Sequence, residues 1–222
     1  DAKTHAKIST GKSENKFGIP WKNIHQICAK AAKLSGIKLV GLDLHIGSQI
    51  TDLAPFEEAF TRVGNLVETL REEGHDITRL DLGGGIGISY DGENDNPILS
   101  HDYAKMVKRV VGHLQCQIII EPGRFLVGNA GILVSKVVYV KEGAERSFLI
   151  IDAAMNDLIR PSMYDAYHAI DPVIENKDAK VAYDIVGPVC ETGDTFAKGR
   201  IINPLKKDQL IVIRSVGAYG AV

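Results

Sequence analysis

The sequence predicts an α/β unit followed by an all-β one: part of a (β/α)8, TIM-type barrel over residues 1–130, then an antiparallel β-sandwich or barrel domain over 131–222. Three observations carry this reading. Up to about residue 130, short apolar strands starting near 39, 77 and 117 alternate with amphipathic helices, the rhythm of right-handed βαβ crossovers in a parallel sheet. Beyond that point the apolar segments are short, β-branched and separated by turns. Finally, three strand ends carry polar, glycine-rich sequence: HIGSQ at 45–49, GGGIG at 83–87 and EPGR at 121–124.

In chain order, residues 21–35 set Trp21, Ile24, Ile27, Cys28, Ala31 and Leu34 at helical spacing, with Gly36 as a terminator. The apolar run LVGLDLHI at 39–46 predicts a strand. A longer helix then buries Phe56, Phe60, Val63, Val67 and Leu70 on one face, with Asp52 as its N-cap and Gly74 as its stop. Strand 77–82, a helix over about 101–114 and strand 117–121 repeat the unit, and the boundary falls near 128–131. Strands are expected at 132–140, 147–153, 181–189 and 209–216, with one short helix near 157–169. So few βα units cannot close an eight-stranded barrel, so the chain is expected to be a fragment whose first twenty residues enter a domain midway.

Composition bounds the function. With 45% apolar and 24% charged residues and a net charge of −2, nothing points to nucleic acid or an anionic membrane. The longest apolar runs are strand-sized, far below the roughly 20 residues that cross a bilayer, and no secretory leader pattern opens the chain. Three cysteines, Cys28, Cys116 and Cys190, without tight spacing argue for a reducing, cytoplasmic setting. No cluster shows the ligand spacing of a metal site.

In a parallel barrel the C-terminal strand ends meet over one mouth, where such folds place their chemistry. Gly83, Gly84 and Gly85 allow close backbone approach and offer N–H groups to an anion, although a tight turn explains a glycine run equally well. Ser48 and Arg124 at neighbouring strand ends add a hydroxyl and a fork of donors suited to the same phosphate. Glu121 closes the run Ile118, Ile119, Ile120, where a buried carboxylate needs either a protonated ring nitrogen or an arginine beside it. His45 could lie against a planar ring or serve as a hydrogen-bonded structural histidine.

In the second part, Cys190 and Glu191 sit in GPVCETGDTF, where flanking Asp194 and glycines favour an accessible thiol able to give a proton over a small buried hydrophobe. Cys28 and Cys116 read as structural. Arg160 and Tyr164 fall four apart in IRPSMYDAYH, side by side on a helical turn, and a surface arginine is the plainer alternative. Tyr219 in GAYGA has only small neighbours, leaving its ring room to pack on a ligand.

Taken in order, HIGSQ, LDLGGGIG, EPGR, IRPSMYDAYH, VGPVCETGD and GAYGA resemble the pyridoxal-phosphate-dependent decarboxylases with the alanine-racemase type of fold, over essentially the whole chain. Within that group the chain looks most like those acting on meso-diaminopimelate, the last step of lysine biosynthesis. The resemblance implies that His45, Ser48, Gly83, Gly84, Gly85, Glu121, Pro122, Gly123, Arg124 and Tyr219 contact pyridoxal 5′-phosphate. It implies that Arg124, Arg160, Tyr164, Glu191 and Tyr219 contact the substrate, and that Cys190 is the proton donor. It further implies a homodimer in which Cys190 and Glu191 reach the opposite subunit's site.

The substrate agrees with the charges: a distal ammonium and carboxylate need an acid together with cationic donors, which Glu191, Arg124 and Arg160 supply. Ornithine, with a distal ammonium alone, would leave two arginines without an anion. Alternatives are an ornithine, arginine or carboxynorspermidine decarboxylase of the same fold, or a non-catalytic relative. One departure stands out: the group's Schiff-base lysine, in a segment resembling YAxKAN, has no counterpart here, and Lys7, Lys12 and Lys16 are not substitutes for it. The expectation is therefore an enzyme in the intact parent protein and an inactive fragment in isolation.

Overall fold

A computed structural model describes residues 17–92 and 95–221, so Lys7, Lys12 and Lys16 lie outside the described residues. The described chain forms two compact units, one of residues 17–88 with 96–123, the other of 89–92 and 95 with 124–221.

The first unit is a three-stranded parallel sheet in sequential order, β1 (Gly41–Asp43), β2 (Arg79–Asp81) and β3 (Gln117–Ile119). Its register pairs Gly41 with Arg79 and Arg79 with Gln117, so equivalent residues of each βα repeat sit side by side. Helix α1 (Ile24–Ala31) precedes β1, continuing from a 3-10 turn at Trp21–Asn23. The crossovers are α2 (Ala54–Glu72) and α3 (Ser100–Val111), the latter run on by a 3-10 turn to Leu114.

Helix α2 buries the stripe read from the sequence: Phe56, Phe60, Val63, Val67 and Leu70 are all at most 4% exposed. Phe56 and Phe60 meet Tyr103 of α3 edge-on, with centroids 5.4 and 6.1 Å away. Burial pushes the Tyr103 phenol up to about 12. Leu53, not Asp52, occupies the N-cap, while the Asp52 carboxylate accepts from Ala54 N–H one position outside it. The stop is a Schellman turn: Gly74 adopts φ +91°, with Gly74 N–H donating to Arg71 and His75 N–H to Leu70. Arg71 then ties the N-terminal side of the sheet together, donating to the carbonyls of Ile77 and Leu114 and to the Cys116 sulfur.

The second unit is a six-stranded sheet ordered β6-β9-β4-β5-β7-β8. Its strands are β4 (Leu133–Glu142), β5 (Ser147–Ile151), β6 (Ile170–Pro172), β7 (Val181–Val186), β8 (Thr195–Ile202) and β9 (Leu210–Ile213). Every pairing is antiparallel except β5 with β7. β4 pairs with β9 through its first half and with β5 through its second, with an irregularity between Val137 and Tyr139. Val137, Leu149, Ile151, Leu158, Ile185, Ile211 and Ile213 form a core at most 1% exposed. Two helices of five residues, α4 (Gly123–Val127) and α5 (Arg160–Tyr164), complete the elements used below.

Candidate active site

The first unit gathers its functional side chains at the C-terminal ends of β1, β2 and β3. The 83–85 glycine run threads between the neighbouring strand ends at backbone contact distance. A Cβ on Gly83 would overlap the Leu44 carbonyl, one on Gly84 the Glu121 carbonyl, and one on Gly85 the Gly47 carbonyl. Gly83 and Gly85 also have φ of +64° and +97°, conformations side chains rarely adopt. Glycine is therefore required by space at all three positions and by torsion as well at Gly83 and Gly85, beyond what a lone tight turn would ask. Glu121 N–H donates to the Gly83 carbonyl, and Ile50 N–H to the Gly85 carbonyl. Gln49, missed in the sequence, clamps both loops: its amide donates to the Ile88 carbonyl and accepts from Ile88 N–H.

His45 is exposed after β1, its Nδ1 accepting from Gly84 N–H at 3.4 Å. Ser48, half-buried, stands in the same loop. Glu121 departs from expectation. It is exposed, two residues past the end of β3, and no arginine or lysine pairs with it among the described residues. The three isoleucines before it are likewise 38–45% exposed, because β2 is the only strand beside β3 among the described residues. Instead, the Asp43, Asp81 and Glu121 carboxylates converge, with ligand atoms within 4.8 Å of one another. Partial burial and the neighbouring Asp81 raise the Asp43 carboxyl, while His45 opposes that rise.

In the second unit the glycines of 128–131 and 217–220 let two loops cross closely. Gly131 and Gly217 are so near that a Cβ on either would enter the other's backbone, and Gly217 N–H donates to the Gly128 carbonyl. That crossing seats Tyr219, 65% exposed with φ +56°, over the Arg124 guanidinium at 4.7 Å. Arg124 is not at a strand end: it lies in α4 and is 7% exposed. Its Nη1 donates to the hydroxyl of Tyr90.

Arg160, also 7% exposed, is no surface residue either. Its guanidinium stacks 4.2 Å from the Tyr90 ring centre and donates to His168 Nε2 at 2.8 Å. No carboxylate pairs with Arg160 among the described residues, and burial, with Arg124 adding to it, lowers its pKa while Tyr90 and Tyr164 oppose. Tyr164 closes the same short helix, α5. Tyr90 and His168, like Gln49, are residues sequence reasoning missed. His168 stands within the quoted motif IRPSMYDAYH, but nothing in the chain order links it to Tyr90.

Cys190 and Glu191 are exposed on the loop after β7. The loop is shaped from within by Asp194, 2% exposed, whose carboxylate accepts from Met155 N–H and Val189 N–H, each at 2.7 Å. Gly187 has no room for a Cβ against that carboxylate. Cys28 is buried and Cys116 half-buried. No described helix is long and apolar enough to cross a membrane.

The profile of the pyridoxal-dependent decarboxylase pyridoxal-binding domain matches residues 1–128. Diaminopimelate decarboxylase of Zymomonas mobilis is 49% identical over 221 residues, covering 100% of this chain and 52% of that protein. Its counterpart in Aquifex aeolicus is 44% identical over 220 residues, covering 99% of this chain and 52% of that protein. The crystal structure of diaminopimelate decarboxylase from Helicobacter pylori complexed with L-lysine superposes with a TM-score of 0.94 at 42% identity, covering 100% of this chain and 55% of that one. The M. jannaschii enzyme in complex with L-lysine gives 0.91 at 37% identity, covering 99% of this chain and 52% of that one. The fold is accordingly part of a barrel of this enzyme class followed by its β domain, and the chain spans about half the length of the curated relatives it matches. With more than half of its residues under the family profile and its whole length aligned to such enzymes, the chain belongs to the pyridoxal-dependent decarboxylase family.

Proposed function

We propose that the protein containing this chain is a cytoplasmic, homodimeric, pyridoxal-5′-phosphate-dependent decarboxylase that converts meso-diaminopimelate to L-lysine and CO2. The observation that carries the substrate reading is Arg160: a buried guanidinium met by a ring and an imidazole and, among the described residues, by no carboxylate. A buried cation without an anion is costly, and a substrate carboxylate supplies the missing charge. The relatives' names and the lysine held by two of the solved relatives support the same substrate.

The residues of the first unit fit the cofactor. The side-chain-free cradle of Gly83, Gly84 and Gly85 leaves backbone within reach of a phosphate, with Ser48 in the adjoining loop. Asp43, Asp81 and Glu121 together favour a cation, which a protonated ring nitrogen would provide, and the exposed His45 would be available to the cofactor ring. Pro122 and Gly123 carry the chain from Glu121 to Arg124, and Arg124 and Tyr219 are read as touching cofactor and substrate alike. When bound, the cofactor supplies an electron sink for the pair left by the departing carboxylate.

The chain's own residues then have three tasks. Arg124, Arg160 and Tyr164 orient the substrate, Glu191 takes its distal ammonium, and the Cys190 thiol delivers the proton to the α-carbon. The exposed position of Cys190 and Glu191 supports their delivery to a second copy of the protein. Residues 1–130 are read as the cofactor-holding domain and 131–222 as the substrate and dimerisation domain. The test is CO2 release by the intact protein from a substrate panel. Release from meso-diaminopimelate is expected; release from ornithine, arginine or carboxynorspermidine but not from meso-diaminopimelate would overturn the reading.

A further inference from the structure

His168 is fully enclosed, at 0% exposure, and lies outside every set of residues assigned above to cofactor or substrate. Its Nδ1 lies 2.8 Å from the Arg214 carbonyl. A carbonyl only accepts, so Nδ1 must carry a proton. On the opposite side, Nε2 lies 2.8 Å from Arg160 Nη1, and a guanidinium only donates, so Nε2 must present a lone pair. The two contacts together fix the neutral Nδ1–H tautomer. They leave imidazolium without a role, since its second N–H would point into a guanidinium. Burial chiefly pushes the ring down to about 4, helped by Arg160, Arg124 and Arg200 and opposed by the Arg214 carbonyl.

The ring is also held sideways. It meets Tyr90 edge to face, with centroids 5.1 Å apart, and Tyr90 is the ring on which Arg160 lies and whose hydroxyl accepts from Arg124. His168 thus joins the backbone at Arg214 to the guanidinium of Arg160. We propose that His168 is a positioning residue, which aims the Arg160 guanidinium at the substrate carboxylate by accepting one of its N–H groups. This deepens the proposed function and rests on it for the identity of the carboxylate. The metal-like trio Asp43, Asp81 and Glu121 belongs to the cofactor cradle and has no such independent support.

The test uses the intact, cofactor-loaded protein and two substitutions. In His168→Asn the amide nitrogen replaces Nδ1 and keeps the bond to Arg214, but nothing reaches Arg160. In His168→Gln the amide oxygen takes the place of Nε2. Losing one hydrogen bond to a charged group is expected to raise KM for meso-diaminopimelate about tenfold or more in His168→Asn, with kcat changed less than about threefold. His168→Gln is expected to recover most of the wild-type KM. Equal KM values for all three proteins would overturn the proposal, and so would parallel loss of kcat, KM and cofactor binding in both variants. Nitrogen-15 NMR of histidine-labelled wild-type protein separates this from the substrate reading. An Nε2–H tautomer or titration near pH 6.5 ends the proposal whatever the substrate. The expected Nδ1–H signature in a protein inactive on meso-diaminopimelate would end the substrate reading alone.

Discussion

Substituting Gly84 by alanine adds one methyl group where the cradle has no room for it. The new Cβ would fall inside contact distance of the Glu121 backbone carbonyl, and backbone cannot rotate aside as a flexible side chain can. Gly84 has no left-handed torsion, so the whole effect is steric. The Glu121 N–H that bonds to the Gly83 carbonyl must move as well, so the glycine loop and the β3 end separate together. Overpacking of this kind costs about 3 kcal/mol at the upper end of the usual range. For a domain of this size that corresponds to a midpoint fall of roughly 6–12 °C. Thermal unfolding of the intact protein by circular dichroism, with cofactor absorbance followed in parallel, measures both consequences. Gly36→Ala is the control, since nothing lies within 4 Å of a Cβ there. A Gly84→Ala protein with an unchanged midpoint and normal cofactor absorbance would refute the claim that this loop is packed to backbone contact.

Other perturbations follow from the same geometry. His168 is neutral in the fold with its pKa near 4 against an ordinary 6.5, so its contribution is complete above pH 6.5 and is lost as the pH falls towards 4. That difference is worth about 3 kcal/mol, and in urea titrations His168→Gln should flatten this acid limb; an unchanged limb would contradict the assignment. Asp194→Ala strands the N–H groups of Met155 and Val189 and is expected to cost about 2–3 kcal/mol, measurable by denaturant unfolding. Cys190→Ala is expected to lower kcat at least about a hundredfold while cofactor absorbance is retained, and unchanged turnover would remove the thiol as proton donor.

Much of the fold was legible because burial and spacing agree. The α2 stripe from Phe56 to Leu70, the glycine stop at Gly74 and the equal βα repeats each follow from side-chain periodicity or torsion. β8 escaped because Lys198, Gly199 and Arg200 interrupt its apolar alternation. It forms nonetheless, with Gly199 at φ +57° donating to the buried Asp184 carboxylate. β6 is three residues long and ends in Pro172, too short for any pattern. The parallel pairing of β5 with β7 depends on sheet order, which local sequence does not encode.

The site divides in the same way. The glycine cradle announced itself as a run, whereas Tyr90 became recognisable only when the fold set it against Arg124, Arg160 and His168. Glu121 was read as a buried acid from its isoleucine neighbours. With a single strand partner among the described residues it is exposed beside Asp43 and Asp81 instead.

Substrate discrimination by the intact protein and its Arg160→Ala variant tests the central claim most directly. The comparison is kcat/KM for meso-diaminopimelate against L-lysine, which lacks the second carboxylate. The account predicts a strong wild-type preference for meso-diaminopimelate that collapses in Arg160→Ala through a raised KM. A preference that survives the loss of the guanidinium would contradict it.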